Sequence, residues 1–252
     1  MENRQTHAKG RLIAASLGPG DPGHITRAAW QALESAQCWA WPESRQEGGG
    51  YAISIAQRAG LLPPPRTLAL NFPMTRDPLV LTRHWRIASE QVLSVLNTGV
   101  DVVFLVEGDA SFFATFGHLQ RTLLELNPEI RVEIIPGVAS PLAGAAMDQQ
   151  ALCEGDQTLA LVPATVGMER IGRLLTEFET LVLLKVRPVL DQVLELLESR
   201  NLTDKAVFAE RIGAPEERLV RDVRSLKGTQ VHYLSLMIIH CNDGEFTLGG
   251  RE

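Results

Sequence analysis

The stretch VVFLVEGDASFFATF, residues 102–116, decides how the rest of the chain is read. Five apolar residues in succession predict a buried strand. The run breaks on Glu107, Gly108 and Asp109, and an aromatic-rich segment leads into a helical pattern over about 115–126. A strand deep in a core that stops on two carboxylates and a glycine needs an explanation at its carboxyl end.

Working outward, the same alternation recurs. Residues 12–17 predict a first strand, halted by the turn cluster GPGDPG at 18–23 and followed by a helix over 25–36. A short apolar piece at 38–41 is closed by Pro42, and the charged, glycine-rich segment 43–50 predicts a surface loop. A strand over 68–72, a helix over 78–97 and a strand over 132–135 ending on Pro136-Gly137 complete the pattern, before a small-residue helix at 139–146. Alternating strands and helices predict parallel pairing in a sheet covered on both faces. Residues 148–155 are polar and without periodicity, so the division between two α/β domains is placed there: 11–147 and 156–252, after a disordered tail at 1–10. In the second half, 159–162, 181–184 and 206–209 predict strands, with helices over 168–177 and 188–200. Residues 217–221 and 233–239 lack a helix between them and predict an antiparallel pair of neighbours, making this sheet mixed.

Composition bounds the function. A chain of 252 residues, 45% hydrophobic and 21% charged, can build a sizeable core. Only 6% aromatics and a net charge of −6 argue against a nucleic-acid binder. Cys38, Cys153 and Cys241 are odd in number and far apart, which predicts reduced thiols, no disulfide framework and no metal site. No apolar run reaches the ~18 residues of a membrane span. The polar start MENRQTHAKGR lacks a secretory core, so a cytoplasmic location is expected.

In an open α/β sheet, ligands bind beyond the carboxyl ends of the strands. Three glycine-containing breaks sit at such ends: Gly18-Pro-Gly-Asp21, Glu107-Gly-Asp109 and Pro136-Gly137. Glycine permits a sharp turn or a close approach of ligand to backbone. Asp109 admits two roles, a cap or a ligand contact. Gly18, Gly20 and Gly23, with Glu43 further on, fit a dinucleotide spacing. Pro22 and the cap candidate Thr26, however, start the helix after the glycines rather than among them.

Taken together, GPGDPGHIT, VEGDASFFATF and VEIIPGVAS, in this order and spacing, resemble the tetrapyrrole (corrin and porphyrin) methylase family over nearly the whole chain. GDASFFATFGHL, LVLLKVRPVLDQVLELL, FAERIG and YLSLMII are most similar to the branch that methylates carbon 20 of precorrin-2, or its cobalt form, in cobalamin synthesis. The resemblance implies two α/β domains with S-adenosylmethionine (SAM) in a cleft between them, leaving as S-adenosylhomocysteine. Carried over by position, the cofactor contacts are Pro19, Gly108, Asp109, Ala110, Thr115, Ala139, Ser140, Lys185 and Leu236. The chain departs from the branch at Ala110, Phe113, Ala114 and His118, where proline, tyrosine, serine and tyrosine are usual. His118 either compensates for the lost hydroxyls or is packed on its helix.

The implied reaction is an in-line transfer in which a ring carbon attacks the sulfonium methyl, so alignment is the enzyme's main task. No metal is required. Asp21 and His118 are the candidates for a base that removes the ring proton. Arg187 and Arg211 are the candidates for the polycarboxylate substrate, against a reading as solvated surface arginines. Family members pair, so a homodimer is expected, with a small-molecule tetrapyrrole as partner and neither nucleic acid nor membrane. Two other readings share these features: methylation of another ring carbon, and a non-catalytic binder of SAM or tetrapyrrole.

Overall fold

A computed structural model of the chain describes residues 9–43, 50–73, 75 and 77–241. These fall into two compact units, residues 1–139 and 140–252. The sequence reading placed the division at 148–155; the helix α5 (Ser140–Asp148) instead groups with the second unit, because it lies against that unit's strand β10 (Ser235–His240).

The first unit holds β1 (Leu12–Ser16), α1 (Arg27–Glu34), β2 (Cys38–Glu43), α2 (Tyr51–Arg58), β3 (Arg66–Asn71), α3 (Pro78–Leu96), β4 (Val102–Val106), α4 (Phe116–Leu126) and β5 (Val132–Ile135). Its sheet runs β3-β2-β4-β1-β5, and every pair is parallel. Strand alternation divides the apolar residues between two cores. Leu12, Ala14, Val102, Phe104 and Val106 join α3 and α4 on one face, while Ile13, Ala15, Val103 and Leu105 join α1 and α2 on the other. That double cover is why VVFLV is apolar without a break. Phe104 and Phe116 meet with ring centroids 5.7 Å apart, a tilted pair that contributes about 0.5–1.5 kcal/mol beyond its buried area.

The Pro42 expected to close β2 lies inside it, where pairing continues only to β3; β4 meets β2 through Trp39 and Ala40 alone. An internal proline is tolerated where one side of the ladder has already ended. The helix α2, which the sequence reading left unassigned, buries Ala52, Ile55 and Ala56. The expected tail and the 43–50 loop lie largely outside the described residues. Of their described members, Lys9 pairs with Glu129 at 2.8 Å, Gly10 donates to the Leu96 carbonyl at 2.9 Å, Glu43 ends β2 and Gly50 caps α2.

The second unit adds β6 (Leu159–Pro163), α6 (Met168–Glu177), β7 (Thr180–Leu184), α7 (Leu190–Ser199), β8 (Ala206–Glu210) and β9 (Arg218–Val220). Its sheet is mixed, in the order β6-β7-β10-β8-β9. Here the expectation that the last two strands are neighbours fails. β9 and β10 are separated by β8, which pairs antiparallel with both. The physical reason is burial. β10, with five of its six residues buried, needs a partner on each edge and takes the centre, while three-residue β9, exposed or half-buried, suits an edge. Met237 and Ile239 face the core under α6 and α7; Leu236 and Ile238 face α5 at Gly144, where an added methyl would come within 3.4–3.5 Å of their Cδ1 atoms.

Candidate functional site

The site is built from the carboxyl ends of three parallel strands. Register pairs Ser16 with Val106 and Ala15 with Ile135, so β1, β4 and β5 end level and release their turns on the same edge of the sheet. The turns then lock to one another. Gly18 donates to the Gly108 carbonyl at 3.1 Å, Gly108 donates back to the Gly18 carbonyl at 2.8 Å, and the Ala110 N–H donates to Ser16 Oγ at 2.9 Å. Gly18 and Gly108 both sit in the left-handed region, at φ 77° and 71°, which glycine enters without steric cost. Gly137 is glycine for want of space: a Cβ there would lie 2.6 Å from Ser16 Cβ and 3.0 Å from the Gly108 carbonyl oxygen.

Asp109, 8% exposed, staples this assembly. Its Oδ2 accepts the Gly137 N–H at 2.8 Å, and its Oδ1 accepts the Ser111 N–H at 2.8 Å together with the Ser111 hydroxyl. Burial alone would raise the carboxyl pKa; the Ser111 hydroxyl and the two amide donors outweigh it and hold it below the usual value. Of the two roles open to Asp109, the side chain performs a capping role within the turns. It does not cap α4, whose N-cap is Thr115 with no side-chain bond.

Around the first turn, α2 supplies support that sequence reasoning missed. Tyr51 donates its hydroxyl to the Pro19 carbonyl at 3.3 Å, and the Arg58 guanidinium donates to the Gly20 carbonyl. The signal was present in the apolar spacing of Ala52, Ile55 and Ala56. Asp21 is exposed and accepts the Gly23 N–H at 2.7 Å, capping a 3-10 turn at Pro22–His24. Helix α1 starts only at Arg27, with Thr26 Oγ1 accepting from the Ala29 N–H at 3.2 Å, which removes the dinucleotide reading of the glycine spacing. Ala139 follows the Pro136-Gly137 turn and is half-buried.

His118 lies in the first turn of α4. Its ring stacks on Trp85 of α3, with centroids 4.2 Å apart and planes 7° from parallel. The Arg121 guanidinium lies 2.8 Å from Nδ1. A guanidinium only donates, so Nδ1 accepts and the ring proton resides on Nε2. Burial, then the Arg121 charge, hold the imidazole pKa below its ordinary value. In this arrangement His118 is a donor through Nε2, and its basic lone pair is taken.

In the second unit, Lys185 and Arg211 are the first residues after β7 and β8, and both take left-handed backbone, φ 55° and 53°. Leu236 of β10 pairs with Leu184 on one side and Ala209 on the other, so these three sequence-selected residues share one sheet edge. Non-glycine residues in this conformation are uncommon and cluster at functional positions. Leu236 is buried beneath α5, the helix that Ser140 opens. Arg211 is engaged by Glu216 at 2.9 Å, while its Nε is buried without a hydrogen-bond partner among the described residues. Arg187 is exposed, at the start of a 3-10 turn, Arg187–Val189.

The chain's likenesses agree with one another. The family profile described as Tetrapyrrole (Corrin/Porphyrin) Methylases matches residues 11–226. A precorrin-2 C(20)-methyltransferase from Sinorhizobium sp. is 29% identical over 240 residues, covering 91% of this chain and 95% of that one. A cobalt-precorrin-2 C(20)-methyltransferase from Salmonella typhimurium is 28% identical over 232 residues, covering 92% and 96%. The crystal structure of uroporphyrin-III C-methyl transferase from Thermus thermophilus, complexed with S-adenyl homocysteine, shares the fold at a TM-score of 0.65 and 23% identity, covering 91% of this chain and 97% of that one. The locked glycine turns on a doubly covered parallel sheet are therefore those of a member of the tetrapyrrole (corrin/porphyrin) methylases, the family to which this chain belongs.

Proposed function

We propose that the chain transfers a methyl group from SAM to carbon 20 of precorrin-2, or of its cobalt form, in cobalamin synthesis. One observation carries the reading: the two relatives described above differ in whether their substrate holds cobalt but agree on carbon 20, and each is matched over more than nine-tenths of both chains.

The turn cluster fits such a cofactor in a particular way. The amide and carbonyl of Gly108 already pair with Gly18. What Gly108 offers is its open side, where a methyl group would meet nothing within 4 Å. A ligand can therefore approach the backbone there without displacing a side chain. Bound SAM would supply an electrophilic sulfonium methyl, which a ring carbon of the tetrapyrrole takes by in-line displacement. The chain's part is to hold and align. The proposed cofactor contacts are Pro19, Gly108, Asp109, Ala110, Thr115 and Ala139 in the first unit, and Ser140, Lys185 and Leu236 in the second. Asp109 contributes through its backbone, because both carboxylate oxygens are engaged. Arg187 and Arg211 are the proposed substrate cations. Asp21 is the proposed proton acceptor, since the His118 lone pair is held by Arg121. We further propose a cytoplasmic homodimer, to be checked by sedimentation.

The test is product analysis with isotopically labelled SAM and both forms of the substrate. The expected product carries one labelled methyl at carbon 20. A label on a different ring carbon would move the chain to another branch. Binding of S-adenosylhomocysteine by calorimetry with no transfer to either form would make it a non-catalytic binder.

A further inference from the structure

Three chemical groups at the carboxyl edge of the first sheet remain without a role in cofactor binding: the Trp85 indole, the His118 imidazole and the Arg121 guanidinium. α4 begins ten residues after β4 ends, so His118 in its first turn stays on that edge. α3 ends six residues before β4 begins, which puts its opening turns, including Trp85, toward the same edge. The stacked rings fix the imidazole plane, and Arg121 fixes its tautomer. Nε2–H has no partner among the described residues, and neither have the remaining guanidinium donors of exposed Arg121. Packing α3 against α4 would be served as well by an apolar ring. A histidine held neutral, keyed by a cation and left with a donor to spare is suited to a carboxylate. Large apolar side chains lie exposed nearby in the chain. Phe113 is 53% exposed at φ 50° on the loop leading into α4, and Leu79 is 82% exposed in the first turn of α3. Exposed apolar side chains close in sequence to paired donors suit a flat macrocycle with acidic arms.

We propose that His118, oriented by Trp85 and keyed by Arg121, is a specificity-determining donor that recognises a carboxylate arm of the tetrapyrrole. The inference rests on the methyltransferase reading above and assigns the residue that reads the substrate. His118 binds through Nε2–H, Arg121 adds a second donor to the same carboxylate, and the Trp85 face holds the pair in register.

His118→Phe and His118→Gln separate this role from packing. Phenylalanine keeps the stack on Trp85 and loses both nitrogens; glutamine can accept from Arg121 and still donate an N–H. In steady-state assays with precorrin-2, His118→Phe is expected to raise the tetrapyrrole KM by about ten- to a hundredfold, the usual weight of a charge-assisted hydrogen bond. The kcat, the Kd for S-adenosylhomocysteine and the unfolding midpoint stay as in wild type, and His118→Gln restores most of the KM. An unchanged KM in His118→Phe would overturn the proposal, as would a parallel loss of S-adenosylhomocysteine affinity or of stability. Quenching of tryptophan emission by bound tetrapyrrole gives an independent readout. If the wild type fails to methylate, the functional reading falls. The assignment of His118 then stands only if tetrapyrrole still binds and His118→Phe weakens that binding, and falls if it does not.

Discussion

Removing the Asp109 carboxylate tests whether the locked turns are held from within. Asp109→Ala deletes the acceptor for the Gly137 N–H and for both Ser111 donors, at a residue only 8% exposed. A hydrogen bond to a charged group contributes about 1.5–3 kcal/mol. The gross loss is offset by the burial cost that the carboxylate no longer bears and by solvation of the exposed Ser111. A net destabilisation of about 3 kcal/mol follows, or roughly 6–12 °C in the midpoint for a unit of this size. Asp109→Asn should lose about half as much, since its single amide oxygen serves either Gly137 or Ser111 but not both. The assay is urea unfolding followed by tryptophan fluorescence, which reports the first unit alone because Trp30, Trp39, Trp41 and Trp85 all lie in it. The pH dependence has a definite sign. The folded carboxyl pKa lies below its unfolded value, so its contribution is present above about pH 3.9 and is lost as pH falls through the folded pKa. The gap between wild type and Asp109→Asn should therefore narrow in acid. Both variants unfolding within about 0.5 kcal/mol of wild type at pH 7 would refute the staple.

Gly137→Ala drives a methyl to 2.6 Å from Ser16 Cβ; a loss of about 1–3 kcal/mol and weaker S-adenosylhomocysteine binding are expected by urea unfolding and calorimetry. Thiol labelling of the native protein at pH 8 should modify exposed Cys153 first, because Cys38 and Cys241 are buried and burial pushes the Cys241 pKa up to about 11; fast labelling of Cys241 would contradict its placement.

Sequence patterning revealed what depends on chain-local periodicity. The apolar runs at 12–17 and 102–106 announced strands covered on both faces, and the breaks at Gly18, Gly108 and Gly137 announced where they end. Partnership between distant segments was not legible. Nothing in RLV or SLMII states that β8 will come between them; that order follows from which strand can bear exposure. For the same reason the sequence left Asp109 between a cap and a ligand contact. The deciding donor, the Gly137 N–H, is 28 residues away. The Trp85–His118 stack likewise joins two helices across an intervening strand.

The answer to why β4 stops on Glu-Gly-Asp is that the turn's first task is self-recognition. Gly108 answers Gly18, and Asp109 answers Gly137, before any ligand is present. A surface held in this way is preorganised, so its binding energy is not reduced by ordering the loops on arrival. It also makes two kinds of substitution separable. With the cofactor site proposed above, changes at Asp109 or Gly137 loosen the scaffold and should lower stability and cofactor affinity together. A change at His118, whose side chain makes none of those bonds, leaves them intact and should alter only the tetrapyrrole term. A His118 variant that lost stability and cofactor affinity as Asp109→Ala does would mean that scaffold and substrate recognition are a single structure here, and the division of labour argued from these contacts would be wrong.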